Sequence, residues 1–128
     1  ADNLVIVRRN GKENYFYIFG GKDERSQDLI QGITLAGVFF DEVALMPESF
    51  VNQATGRCSV DGSKYWFNCN PDGPYHWFKT DWIDKVEKKK IVYLHFTMDD
   101  NLSLSERIKK RYRSMYTGVF YKRYILGL

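Results

Sequence analysis

The sequence predicts an α/β fold with parallel strands in its sheet. Short apolar runs at 38–40, 64–67 and 91–96 alternate with segments of helical spacing, and strands alternating with helices argue for a sheet with parallel members. At 128 residues and 44% hydrophobic content the chain is long enough to bury one core.

The elements follow in order. The β-branched and apolar runs 4–7 and 15–19 flank Asn10-Gly11-Lys12-Glu13-Asn14, which reads as two strands joined by a turn. Gly20-Gly21 ends the second strand, and the polar stretch 22–27 leads to a short helix that Gly32 closes. Val38-Phe39-Phe40 is uninterrupted by polar residues, which suits a strand buried on both faces. Pro47-Glu48-Ser49 opens a helix to about Ala54, with proline in the first turn and a carboxylate near the positive end of the helix dipole. Residues 64–67 form the next strand, and it stops at Asn68-Cys69-Asn70-Pro71-Asp72-Gly73-Pro74, a loop dense in turn formers. A helix is expected over 75–85, packing through Trp77, Phe78 and Trp82, followed by a strand over 91–96. Ser103-Leu104-Ser105-Glu106 matches a capping box and starts a helix with Leu104, Ile108, Tyr112 and Met115 on one stripe. Gly118 breaks it before a last helix near 120–125.

Composition narrows the function classes. There is no apolar run long enough to cross a bilayer and no signal-peptide pattern, so a soluble, unsecreted protein is expected. Cys58 and Cys69 are too few for a disulfide framework and lack the spacing of a zinc or redox pair, so both read as free thiols. The net charge of +3 decides nothing by itself. Its distribution is more informative: Arg107, Lys109, Lys110, Arg111, Arg113, Lys122 and Arg123 interleave with Tyr112, Tyr116, Tyr121 and Tyr124. That segment reads either as the solvated face of two helices or as a phosphate-contacting surface. The chain starts without Met, enters an apolar run by residue 4 and stops just behind an apolar-aromatic segment, which suggests an excised piece.

The chemistry concentrates in Gly37-Val38-Phe39-Phe40-Asp41-Glu42, where an apolar strand delivers two adjacent carboxylates at its C-terminal end, the ligand-binding edge of an open α/β sheet. Nucleotide hydrolysis needs one carboxylate to hold Mg²⁺ and another to position the attacking water. Acids at a strand end are also commonly just solvated. A second buried strand ending in Asn68-Cys69-Asn70-Pro71 adds a second polar tip, and two strand tips together make a site.

Four pieces in order carry a resemblance: Gly32-Ile33-Thr34-Leu35-Ala36-Gly37-Val38-Phe39-Phe40-Asp41-Glu42-Val43, then Asn68-Cys69-Asn70-Pro71-Asp72-Gly73-Pro74-Tyr75-His76-Trp77-Phe78, then Phe96-Thr97-Met98-Asp99-Asp100-Asn101-Leu102-Ser103-Leu104, and finally Tyr121-Lys122-Arg123-Tyr124-Ile125-Leu126-Gly127-Leu128. Together they resemble the large terminase subunit of tailed bacteriophages, in the C-terminal part of its ATPase domain. The resemblance implies a partial RecA-like P-loop NTPase core, mainly parallel sheet flanked by helices, with residues 1–97 as its strand-rich part and 98–128 as a C-terminal helical segment. It implies Asp41 as the Walker B magnesium ligand, Glu42 as the residue that polarises the attacking water, and Asn68, with Asn70, in the motif that couples hydrolysis to DNA movement. ATP and Mg²⁺ are the implied cofactors. Double-stranded phage DNA, the small terminase subunit, the portal protein and further copies in a ring are the implied partners, in the cytoplasm of the bacterial host. No G-x-x-x-x-G-K-S/T occurs in the chain, so the phosphate-binding loop is expected upstream and a nuclease domain downstream. By itself the chain is then expected neither to hydrolyse ATP nor to bind it tightly.

Other features carry two readings. Arg25 is either a solvated loop residue or an arginine finger for a neighbouring subunit. Asp99-Asp100-Asn101 reads as turn and pre-helix residues rather than a metal cluster. His76 and His95 are assigned to packing or surface roles, and Trp66, Trp77 and Trp82 to the core rather than to base stacking. Two other functions compete with the motor: a non-enzymatic nucleic-acid-binding module using the basic C-terminal helices, and another P-loop ATPase such as a helicase, whose further motifs are not seen.

Overall fold

The computed structural model describes residues 3–21, 28 and 30–128. The chain divides into two compact units, residues 1–39 with 45–66 and residues 40–44 with 67–128.

The first unit begins with an antiparallel hairpin of β1 (Leu4–Arg9) and β2 (Lys12–Tyr17), in register from Leu4 opposite Tyr17 to Arg9 opposite Lys12. The loop is shorter than the expected five residues, because Asn10 and Gly11 both adopt positive φ (51° and 73°). That pair of left-handed residues makes the two-residue turn whose twist matches the flanking strands, and asparagine and glycine are the residues that tolerate it. Side chains on both hairpin faces are exposed, including Val5, Ile6, Val7, Tyr15, Phe16 and Tyr17.

Helix α1 (Glu48–Gly56) forms where proline and glutamate open it. Its buried Phe50, Val51 and Ala54 share one face, and Ile30 is the other buried large apolar residue among the described residues of this unit. The stretch 22–27 lies outside the described residues.

Strands β3 (Gly37–Phe40) and β4 (Lys64–Phe67) form a second two-stranded sheet. They run the same way: Gly37 lies against the Lys64 carbonyl at the start, and the Asn68 N–H donates to the Phe40 carbonyl at the end, at 3.1 Å. A side chain at position 37 would meet the Lys64 carbonyl and the Trp66 ring at 3.0 Å, so glycine permits this approach. Phe40 is 1% exposed but Phe39 is 60% exposed, so β3 is buried on one face here and not on both. Trp66, expected in the core, is 54% exposed for the same reason, since no layer among the described residues covers that face.

In the second unit, the expected helix over 75–85 is broken. Helix α2 (Trp77–Asp81) is capped by His76, a 3₁₀ turn follows at Ile83–Lys85, and α3 (Val86–Lys89) ends at Lys90 in a left-handed conformation. The break places Phe67 at the centre of an aromatic cluster, with ring centroids 5.1 Å from Phe40, 5.2 Å from Phe78 and 4.8 Å from Trp82. The expected strand over 91–96 has no ladder partner among the described residues, and Val92, Leu94 and Phe96 stand exposed. An apolar run becomes a strand only when a neighbour satisfies its backbone.

Helix α4 (Glu106–Met115) starts two residues later than expected for a cap at Ser103. Ser103 is engaged instead with Asn101, and the Ser105 hydroxyl accepts from the Ile108 N–H, making Ser105 the cap. The acids before it are structural, as expected. Asp100 accepts from the N–H and hydroxyl of Thr97, and Asp99 is paired with Arg113. Lys109, almost wholly buried, donates to the Asp99 carbonyl at 3.0 Å. Short α5 (Gly118–Tyr121) runs into a π-helical turn, Lys122–Leu126, which buries Ile125. No described helix is long and apolar enough to cross a membrane.

Candidate functional site

The tips of β3 and β4 open into a cleft of about 260 Å³ lined by Asp41, Glu42, Asn68, Cys69 and Asn70. All five belong to the second unit. The sequence places these residues at two strand ends far apart in the chain, and the structure brings them together through one side chain.

Asn68 is that side chain. Its Oδ1 accepts from the Glu42 backbone N–H at 2.6 Å, and its Nδ2 donates to Asp41 Oδ1 at 2.8 Å. Its main chain continues the pairing, because the Asn68 carbonyl accepts from the Val43 N–H at 2.9 Å. The amide thus spends one donor and one acceptor on the neighbouring tip, a division that neither aspartate nor leucine of similar size reproduces.

Glu42 adopts φ 54°, the left-handed region that a non-glycine residue enters at a cost. The Asn68 contact to its N–H helps hold that conformation. Side chains alternate along an extended strand, so two adjacent acids would point to opposite faces. The left-handed residue ends this alternation and turns the chain into the 3₁₀ segment Val43–Leu45, whose Val43 is fully buried.

Asp41 keeps its second oxygen, Oδ2, without a hydrogen bond among the described residues, as does the Glu42 carboxylate. Asn70 lines the cleft and is exposed. Among the described residues no three His, Cys, Asp or Glu side chains gather into a metal cage. Arg25 lies outside the described residues.

Sequence reasoning missed the supports behind the cleft. His76 Nδ1 accepts from the Phe78 N–H at 3.1 Å, which leaves the proton on Nε2, and Nε2 donates to the Ala44 carbonyl at 3.0 Å. A histidine just ahead of a helical run, in the cap position, was the available signal. His95, by contrast, bonds through Nε2 to the Gly127 carbonyl at 2.8 Å and stays outside the cleft lining. Cys69 was also missed as a lining residue. Burial pushes its thiol above the usual range, so it stays protonated at neutral pH.

Comparisons with known proteins bear on this geometry. The family model described as terminase large subunit, T4likevirus-type, N-terminal, matches residues 1–128. The chain is similar to three solved structures of the large terminase from one thermophilic bacteriophage. One, a second crystal form, is 73% identical with a TM-score of 0.90 over 99% of this chain. The second, in complex with ADP, is 71% identical with a TM-score of 0.90, and the third, in complex with ATP-gamma-S, is 68% identical with a TM-score of 0.87, each over 99% of this chain. The chain spans about 31% of the length of the first two of these solved proteins and 30% of the third. No curated protein sequence matches. The matching family model describes the N-terminal part of the large subunit and does not show the C-terminal part of the ATPase domain that the sequence reading expected.

Proposed function

The chain belongs to the N-terminal family of terminase large subunits, and from that premise we propose that it supplies the Walker B and coupling segments of an ATP-driven motor that packages double-stranded phage DNA into the procapsid. In this reading it works within a longer subunit, in the C-terminal part of a RecA-like P-loop ATPase domain, with 1–97 as the strand-rich part and 98–128 as the helical segment. A phosphate-binding loop is supplied from elsewhere in that subunit.

One observation carries the proposal: the Asn68 side chain ties Asp41 and the backbone of Glu42 into a single polar cleft at the tips of two adjacent strands running the same way. A solvated pair of strand-end acids has no need of such a bridge. Asp41 would hold the magnesium ion through Oδ2, and bound Mg-ATP would supply the phosphate to be transferred to water. Glu42 then orients and polarises the attacking water, while Asn68 holds both acids in place. Asn70, on the same loop, also lines the cleft and would act with Asn68 in the coupling motif. The ADP and ATP-gamma-S complexes of the similar large terminase support a nucleotide as the ligand. The small terminase subunit, the portal protein and further copies in a ring complete the assembly in the cytoplasm of the bacterial host.

The test compares Asp41→Ala and Glu42→Gln in the intact large subunit, with nucleotide affinity and single-turnover hydrolysis measured side by side. A metal anchor acts before chemistry starts, so Asp41→Ala should weaken Mg-ATP binding as well as turnover. Glu42→Gln keeps size and loses charge. It should bind ATP and hydrolyse it about 10²-fold more slowly, the usual contribution of a positioned base. Parent-like hydrolysis by Glu42→Gln, or unchanged affinity and rate in Asp41→Ala, rejects the acidic pair as the catalytic site.

A further inference from the structure

Behind the cleft a chain of polar contacts reaches from its two arms to the C-terminal segment. One arm is the turn after β3, where the Ala44 carbonyl accepts from His76 Nε2 at 3.0 Å. The other is the loop after β4, whose Asp72 places Oδ2 3.8 Å from the same His76 Nε2. Asp72 Oδ1 is in turn 3.3 Å from Arg123 Nη1, on the π-helical turn Lys122–Leu126. Every member belongs to the second unit.

The Arg123 setting argues against an incidental surface pair. Its side chain is 30% exposed, its Nε is buried with no hydrogen-bond partner among the described residues, and Ile125, two residues on, is 3% exposed and anchors the turn. A guanidinium that leaves one N–H unsatisfied pays for its placement, and the Asp72 carboxylate is its ion-pair partner. Asp72 also sits between Pro71 and Gly73 (φ 95°), where its ion pair with Arg123 adds to the hydrogen bonds that hold the loop at its Asn68 and Gly73 ends. The same loop begins at Asn68, whose amide bridges Asp41 and Glu42.

We propose that Arg123 is a positioning residue for the cleft: through Asp72 it fixes the loop that presents Asn68, and so makes hydrolysis depend on where the C-terminal segment sits. The inference rests on the reading of Asp41 and Glu42 as a hydrolytic pair. Arg123 does not line the cleft. Its effect passes through Asp72 to the loop that presents Asn68, and it therefore acts on turnover rather than on nucleotide binding.

The experiment uses the intact large subunit and five variants: Arg123→Gln, Arg123→Lys, Asp72→Asn, the double variant Arg123→Gln with Asp72→Asn, and Glu42→Gln as reference. Arg123→Gln and Asp72→Asn should each lower kcat for Mg-ATP by about fivefold, the effect expected of a partly exposed charge pair, with KM changed by less than about twofold. The double variant should be no slower than either single one, because both remove the same contact. Arg123→Lys should recover part of the rate, since it keeps the charge and loses the fork. A merely structural role would lower the melting temperature without splitting kcat from KM. Unchanged kcat in Arg123→Gln, or losses that add in the double variant, overturns the proposal. If Glu42→Gln is inactive while Arg123→Gln hydrolyses at the parent rate, the hydrolytic reading stands and the coupling falls. If Glu42→Gln is itself fully active, the hydrolytic reading falls first.

Discussion

Replacing Asn68 by alanine removes two contacts at once, the acceptor for the Glu42 N–H at 2.6 Å and the donor to Asp41 Oδ1 at 2.8 Å. A neutral hydrogen bond contributes about 1 kcal/mol net and one to a charged group about 1.5–3 kcal/mol. Both lie at an exposed cleft where water replaces part of the loss, so about 1–2 kcal/mol is the working figure. If that energy serves to hold the two acids in their reactive placement, turnover falls by about 5–30-fold. Nucleotide binding should be largely retained, because the proposed reading assigns most phosphate contacts to a loop elsewhere in the subunit. Asn68→Asp sharpens the test. It keeps an acceptor for the Glu42 N–H but sets a second carboxylate beside that of Asp41, so at low Mg²⁺ it should be slower than Asn68→Ala. Raising Mg²⁺ should close that gap, since a divalent cation offsets the repulsion of paired carboxylates. Single-turnover hydrolysis across a magnesium series, with affinity by calorimetry, measures both effects. Asn68→Ala with more than half the parent rate, together with an Asn68→Asp variant indistinguishable from it at all magnesium concentrations, refutes the bridging role.

Three further outcomes follow from the packing and the titrating groups. Phe40→Ala removes a ring that is 1% exposed and stacked on Phe67, and should cost about 3–5 kcal/mol, read as a lower urea midpoint. Hydrogen bonds from Thr97 hold the Asp100 carboxyl below the usual carboxylate range. Its folded value lies under its unfolded one, so its contribution is intact above the ordinary range and is lost as pH falls through the lowered value. A carboxyl-carbon NMR titration of Asp100 that matches a model peptide contradicts this. Cys69 should be alkylated slowly at pH 7, with a rate that keeps rising above the ordinary thiol range, and in the intact subunit Mg-ATP should protect it because it lines the cleft.

Local chemistry was legible in the sequence where one residue decides the outcome. Asn10-Gly11 has the chemistry of the two-residue turn, Pro47-Glu48 marked the start of α1, and the run before Asp41 marked β3. The acids 99–100 were read as turn and pre-helix residues ahead of α4, and the Asp100 contact with Thr97 is of that local kind. What failed depended on neighbours. Among the described residues, the run 91–96 has full strand character but no ladder, and Trp66 and Phe39 are apolar without a layer over them. Ser103 and Ser105 offer the same hydroxyl two residues apart, and the choice fell to Ser105 because Asn101 engages Ser103. At the site, Asp41, Glu42, Asn68 and Asn70 were found from strand ends, and all four line one cleft. The bridging geometry of Asn68 and the support from His76 and Arg123 were not legible, since each depends on a contact across a long stretch of chain.

The left-handed backbone at Glu42 bears on how substitution data at that position are to be interpreted. Valine, isoleucine and threonine fit that φ poorly because of their branched Cβ, so their loss of activity at position 42 would report backbone incompatibility before any chemistry. Glycine relaxes the backbone and deletes the carboxylate together, confounding two causes in one variant. Only glutamine and aspartate vary the charge or the reach of the side chain while leaving the backbone demand nearly constant. A saturation scan at this codon therefore sorts into two populations with different origins, and averaging them would overstate how much of the position's sensitivity is catalytic.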